Sequence, residues 1–295
     1  MKSPLFTGSA VAIVTPFRGG SVDLDAFDRL LERQLENGTD AVVVCGTTGE
    51  AATLSPGERM ALIEHCVRTV DHRVPVIAGS GTNSTESSVA LSRAAQAAGV
   101  DALLVVTPYY NKASQAGLVR HFSAIADAVT RPLILYDVPS RTGVKCTADT
   151  YVALAAHPNI VGVKEASDDF DLIQDTMRRC PPDFSVWSGN DASTTAIMAL
   201  GGKGVISVAA NVIPRRMHTL TELCLAGDFA AAGRLQLGLF PLIRALFSDV
   251  NPIPVKAAME RLGLCSGELR LPLCAIGGEN AARLERELRA LDLIA

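Results

Sequence analysis

Residues 159–167 read Asn159-Ile160-Val161-Gly162-Val163-Lys164-Glu165-Ala166-Ser167. A short apolar run ends there in an ammonium group. This is the pattern of a buried strand that carries a lysine out at its C-terminal end. Burial disfavours the charged form of an amine, and a neutral lysine attacks carbonyls to form a Schiff base. Lysines are mostly exposed, so the same residue also reads as a strand-end cation snorkelling to solvent.

Other apolar runs end in residues that could serve such an amine. Cys45-Gly46-Thr47-Thr48-Gly49-Glu50 places two hydroxyls and free N–H groups in a tight loop, suited to a carboxylate or phosphate oxygen. It reads equally as a strand-to-helix turn capped by threonines. Thr107-Pro108-Tyr109-Tyr110-Asn111-Lys112 holds two of the four tyrosines, side by side. They are candidates for a proton relay or for an interface. Tyr136-Asp137-Val138-Pro139-Ser140-Arg141-Thr142-Gly143 adds a third tyrosine and an arginine. An arginine can anchor a carboxylate through paired hydrogen bonds, or form an ordinary surface ion pair. Gly189 follows the seventh run, and Ile206 in the eighth could close a pocket wall. Gly201-Gly202-Lys203-Gly204 resembles a phosphate cradle but precedes its run, and reads as a turn. The five histidines show no metal-ligand spacing, so no catalytic metal is expected. Asp168 and Asp169 read as a helix start rather than a cation site.

The elements that must position these groups follow from periodicity. Apolar runs at residues 9–15, 41–45, 75–78, 102–106, 132–136, 160–164, 184–187 and 204–208 alternate with helical patterns. Near-continuous apolar strands indicate a parallel sheet covered on both faces. Eight strand-plus-helix units predict a closed (β/α)8 TIM barrel, with chemistry at the C-terminal strand ends. An open doubly wound sheet ranks lower, because no G-x-G-x-x-G opens a helix after the first strand. Helices are predicted at 25–38, 84–98, 114–128, 148–156, 169–179 and 193–200, and one starts in a capping box at Ser55-Pro56-Gly57-Glu58 and runs to Val70. After about Asn211 only helical patterns remain, at 214–226, 229–247, 253–262 and 278–294, with a proline-stiffened break at residues 249–254. The chain therefore divides into a barrel of residues 1–226 and a C-terminal helical domain of residues 227–295 docked on it.

With 295 residues, 48% hydrophobic and 20% charged, and a net charge of −4, the chain has the composition of a soluble globular protein. No basic run suggests nucleic acid, and no apolar stretch is long enough to span a membrane. The seven scattered cysteines and the lack of a signal-peptide core suggest reduced thiols and a cytoplasmic location.

Taken together, the Thr47-Thr48 loop, the Thr107–Lys112 run, the Lys164 strand and the Asn251-Pro252-Ile253-Pro254-Val255-Lys256 segment resemble the pyruvate-dependent Schiff-base aldolases related to N-acetylneuraminate lyase. Pro139-Ser140-Arg141-Thr142-Gly143 resembles the dihydrodipicolinate synthase branch, and the likeness covers essentially the whole chain. It implies that Lys164 forms an imine with pyruvate, and that Thr47 and Thr48 bind the pyruvate carboxylate. It implies a proton relay of Thr47, Tyr136 and Tyr110, with Tyr136 as the central acid and base. Tyr110 would reach the site of a neighbouring subunit in a homotetramer built as a dimer of dimers. Arg141 would hold the carboxylate of aspartate semialdehyde, and Gly189 and Ile206 would line the pyruvate pocket. No added cofactor is implied, since the lysine imine is itself the electron sink. Asp137 and Asn190 depart from the commoner asparagine and aspartate of the family and are expected to carry no chemistry. Pro56, Arg59 and Ser87 replace the residues through which sensitive members bind lysine, which implies weak or absent inhibition despite Asn83 and Tyr109. Three other readings remain: an aldolase of the same family with a different aldehyde, a non-catalytic ligand-binding barrel, and a phosphate-handling isomerase, for which Asp191 is badly placed.

Overall fold

The computed structural model describes residues 3–295. Eight parallel strands close into a barrel: β1 (Gly8–Ala12), β2 (Ala41–Val44), β3 (Val76–Gly79), β4 (Ala102–Val106), β5 (Leu133–Asp137), β6 (Ile160–Glu165), β7 (Ser185–Ser188) and β8 (Gly204–Ser207). β1 pairs with both β2 and β8, which completes the ring. All eight fall on predicted apolar runs. The first ends three residues early, because Val14 turns its N–H to the Asn211 side chain and Thr15 its hydroxyl to the Gly49 carbonyl.

The barrel helices are α1 (Leu24–Glu36), α2 (Pro56–Val70), α3 (Thr85–Ala97), α4 (Gln115–Asp127), α5 (Ala148–Ala155), α6 (Phe170–Arg179), α7 (Thr194–Ala199) and α8 (Pro214–Leu225). Their starts are chemically marked. Ser55 and Glu58 form the reciprocal capping box, and Asp23, Ser84, Ser114, Thr147 and Asp169 each accept a first-turn N–H. Four short features lie outside the sequence expectation, two of them 3-10 turns at Asp191–Ser193 and Ala209–Asn211. A hairpin pairs Phe17–Arg18 with Ser21–Val22, and a single helical turn spans Pro139–Thr142. Proline at its first position and Gly143 in the left-handed region (φ 71°) at its end account for that turn.

Strand alternation splits the core in two. Outward residues pack against the helices in one large cluster. Inward residues fill the barrel, where small Ala10, Ala12, Ala41 and Ala102 make room for Trp187, stacked on Phe6 at 5.1 Å between centroids. The C-terminal helices are α9 (Phe229–Leu246), α10 (Ile253–Arg261) and α11 (Gly278–Ala290), the last ending four residues before the predicted 294. Leu239, Leu242, Val255 and Leu284 share the outer cluster with the barrel helices. All seven cysteines are unpaired and five are buried. Among the described residues no helix is long and apolar enough to cross a membrane.

Candidate active site

The ladder between β5 and β6 aligns Tyr136 with Lys164, and that between β6 and β7 aligns Lys164 with Trp187. Lys164 is thereby held at the C-terminal mouth, pointing inward, with 5% of its surface exposed. Its Nζ lies 4.3 Å from the centroid of the Tyr136 ring. The stem is packed like a core residue while the amine faces a cavity of about 220 Å³.

Six of the eight residues singled out in the sequence line that cavity: Thr47, Thr48, Tyr136, Arg141, Lys164 and Gly189. The Gly189 N–H donates to the Glu165 carbonyl at 2.7 Å. A Cβ there would lie 2.7 Å from the Ala166 Cβ, so only glycine fits. The other two lie elsewhere. Ile206 is fully buried in the inward-facing cluster that also holds Tyr136, and is not on the cavity wall. Tyr110 has a left-handed backbone (φ 74°) and is 90% exposed, turned away from this chain's own cavity.

Two further groups shape the site. Asn251, from the proline-stiffened break, donates its side-chain N–H to Thr48 Oγ1 at 3.0 Å and its carbonyl accepts from Arg141 Nη2 at 3.1 Å. It ties the two substrate-binding candidates together across the chain. In the sequence it stood out only as the first residue of the Asn251–Lys256 segment, before Pro252. Asp191 is fully buried behind Lys164. Its carboxylate accepts from Ser207 Oγ at 2.5 Å and from the Val208 and Ala209 N–H groups at 3.0 Å. Burial pushes its carboxyl up, against these bonds and the pull of Lys164. Its bonds to strand β8 and the loop after it hold it as a structural acid.

The threonine loop is anchored from below. Glu50 is buried with a left-handed backbone (φ 52°), pairs with Lys256 at 2.7 Å and accepts the Arg270 N–H at 3.1 Å. Burial pushes the Lys256 amine down, and Glu50 opposes that shift. At the rim Asp169 caps α6, as expected, while Asp168 takes both Asn190 amide contacts at 2.8 and 2.9 Å. A second cavity of about 340 Å³, largely apolar, adjoins the first and shares Thr47, Tyr136, Arg141 and Asn251 with it. Among the described residues no three His, Cys, Asp or Glu side chains group as a metal site.

Fold and site define a (β/α)8 barrel whose mouth centres on a buried lysine amine flanked by hydroxyls. The profile of the dihydrodipicolinate synthetase family matches residues 5–291, and the chain belongs to that family. A 4-hydroxy-tetrahydrodipicolinate synthase of Geobacter sulfurreducens is 49% identical over 98% of this chain and 100% of its own. The crystal structure of dihydrodipicolinate synthase from Aquifex aeolicus superposes with a TM-score of 0.96 at 46% identity, covering 98% of this chain and 99% of that one. The enzyme from Acinetobacter baumannii, solved in complex with pyruvate, superposes equally well at 0.96 and 42% identity, over 98% and 99%.

Proposed function

We propose that this protein is a 4-hydroxy-tetrahydrodipicolinate synthase, condensing pyruvate with L-aspartate 4-semialdehyde through an imine on Lys164. The observation that carries this reading is the Lys164 amine. It is set in a buried strand end against the Tyr136 ring, and opens on a cavity walled by Thr47 and Thr48. Full-length relatives bearing that name, and the pyruvate complex of one neighbour, support it.

In this reading the Lys164 free base adds to the pyruvate ketone and loses water to give the protonated imine. The imine withdraws electrons, a methyl proton leaves, and an enamine forms. Its carbon adds to the aldehyde. The amine of the semialdehyde portion then attacks the imine carbon, closing the ring and returning Lys164. Tyr136, whose ring lies against the amine, would carry the protons with Thr47. Thr48, oriented by Asn251, would hold the pyruvate carboxylate, and Arg141 that of the semialdehyde. Ile206 would support the pocket from below. No added cofactor has a part in these steps.

Tyr110 would complete the relay in a second copy of the chain, which its exposure at the rim favours. We place it at the tight dimer of a homotetramer, in a cytoplasmic enzyme of lysine biosynthesis. In the proposed division, residues 1–226 form the catalytic barrel and the helical domain of 227–295 contributes Asn251 and Phe247 to the cavity.

The test is pyruvate-dependent condensation in wild type and Arg141→Ala. Loss of one charge-assisted carboxylate contact is expected to lower kcat/KM for the semialdehyde by about 10- to 100-fold. No turnover in wild type, with pyruvate still trapped on the enzyme, would leave an aldolase of the same family with another acceptor. Added lysine is expected to leave the rate nearly unchanged, because Arg59 stands at the helix start and donates to the Ala51 carbonyl at 2.9 Å. Strong inhibition at sub-millimolar lysine would refute that expectation.

A further inference from the structure

Strand alternation gives the site a second face. At the ends of β5 and β6, Tyr136 and Lys164 point inward. Their paired successors Asp137 and Glu165 point outward, beneath α5. There the Tyr151 hydroxyl lies 2.8 Å from Asp137 Oδ2 and 3.0 Å from Glu165 Oε2. Asp137 and Tyr151 have no exposed surface and Glu165 only 2%. Two backbone donors also serve the pair. The Cys146 N–H reaches Asp137 Oδ2 at 2.9 Å, and the Ser167 N–H reaches Glu165 Oε1 at 2.7 Å. Asp137 Oδ1 has no protein partner.

A phenol has one hydrogen to give. It can donate to one carboxylate. The second short contact is then a weakened three-centre share of the same hydrogen or, at full strength, a bond from a protonated carboxyl to the phenol oxygen. Two carboxylates sharing a buried site also resist ionising together. Nearby groups relieve the pair only in part: the Lys145 charge and the Cys146 thiol favour the Asp137 carboxylate and the Ser167 hydroxyl favours that of Glu165, yet burial outweighs them. The Lys145 ammonium is tied to Asp169 at 2.6 Å, and burial and the two carboxyls push the Cys146 thiol well up.

We propose that Asp137, Tyr151 and Glu165 hold one shared proton behind the active site, and that this proton positions the strand ends carrying Tyr136 and Lys164. With it, the trio carries a single negative charge along an unbroken chain of hydrogen bonds. Without it, two carboxylates compete for one phenol hydrogen and repel each other. β5 and β6 can then part only by moving the peptides next to Tyr136 and Lys164. Burial first, and then the Asp137 charge, push the Glu165 carboxyl up to about 7, and burial raises Asp137 as well. A carboxyl raised on folding contributes stability that is full below its unfolded range and is lost as pH rises through the folded value. The proton is therefore lost close to neutrality.

The link to catalysis rests on the roles proposed above for Tyr136 and Lys164; the shared proton does not. Infrared spectra of the full-length protein should show the carbonyl stretch of a protonated carboxyl at about pH 6 that is gone by about pH 9. Glu165→Gln should lack this band, and Asp137→Asn should displace its loss to lower pH. Absence of the band in wild type, or a titration that Asp137→Asn leaves unchanged, overturns the proposal. Should either variant fail to fold, the wild-type titration alone still decides whether the proton exists. For the positioning role, wild-type kcat should fall by about two-fold or more where the band is lost, with the KM for pyruvate less affected, and Asp137→Asn should remove that step. The same step in both proteins overturns the positioning role. Borohydride trapping of pyruvate on Lys164 reports separately on the reaction itself.

Discussion

Two lysines in this molecule lie against aromatic rings at the same distance, and their surroundings differ. Lys164 Nζ is 4.3 Å from the Tyr136 centroid and Lys256 Nζ is 4.3 Å from that of Phe17. Lys256 is fully buried and its charge is met by Glu50 at 2.7 Å. Its amine closes a strut from the C-terminal segment to the threonine loop, and it has no open side. Lys164 is 5% exposed, and the nearby Asp191 carboxylate is already occupied by Ser207, Val208 and Ala209. Its amine faces a cavity. What separates the two lysines is the carboxylate partner and the open space, more than the degree of burial, and this is what the proposed role of Lys164 draws on.

The contrast yields graded expectations. Lys164→Ala should reduce condensation to the background rate, a loss of about 10³-fold or more, because among the described residues no other lysine lines the cavity. Its melting temperature should fall only modestly, since the buried Asp191 carboxylate loses the nearby charge but keeps its bonds to Ser207, Val208 and Ala209. Appreciable residual turnover would remove the imine assignment. Lys256→Met should do the reverse in kind. It strands the Glu50 carboxylate in a dry site, at a cost of about 3–5 kcal/mol by chemical denaturation. Adding Glu50→Gln should recover much of that loss, and a double-mutant cycle with no coupling would mean the strut does not hold. Asn251→Ala lies between the two regions. Losing its bond to Thr48 should raise the KM for pyruvate by roughly five-fold, about 1 kcal/mol, with little change in kcat. An unchanged KM would detach Thr48 from pyruvate binding.

Much of this was readable along the chain. All eight strands were legible because each is covered on both faces and reads as a near-continuous apolar run. The Ser55–Glu58 box was legible because both partners lie within one turn. Lys164, Tyr136, Thr47 and Thr48 stood out because each sits where such a run ends. The residue couplings were not legible. Asn251 meets Thr48 across 203 positions, and Lys256 meets Glu50 across 206. Periodicity carries no record of such contacts. Asp137 was read only as a departure from the commoner asparagine, and nothing local shows that strand pairing aligns it with Glu165 near Tyr151. The Phe17–Val22 hairpin escaped notice because its strands are two residues long, too short for any period.

The most direct measurement is borohydride reduction of the protein in the presence of pyruvate, followed by peptide mass analysis. The structure predicts one pyruvate-derived adduct per chain, on the peptide containing Lys164, and none in Lys164→Ala. An adduct on Lys256 or another lysine, or no adduct while condensation proceeds, would contradict it.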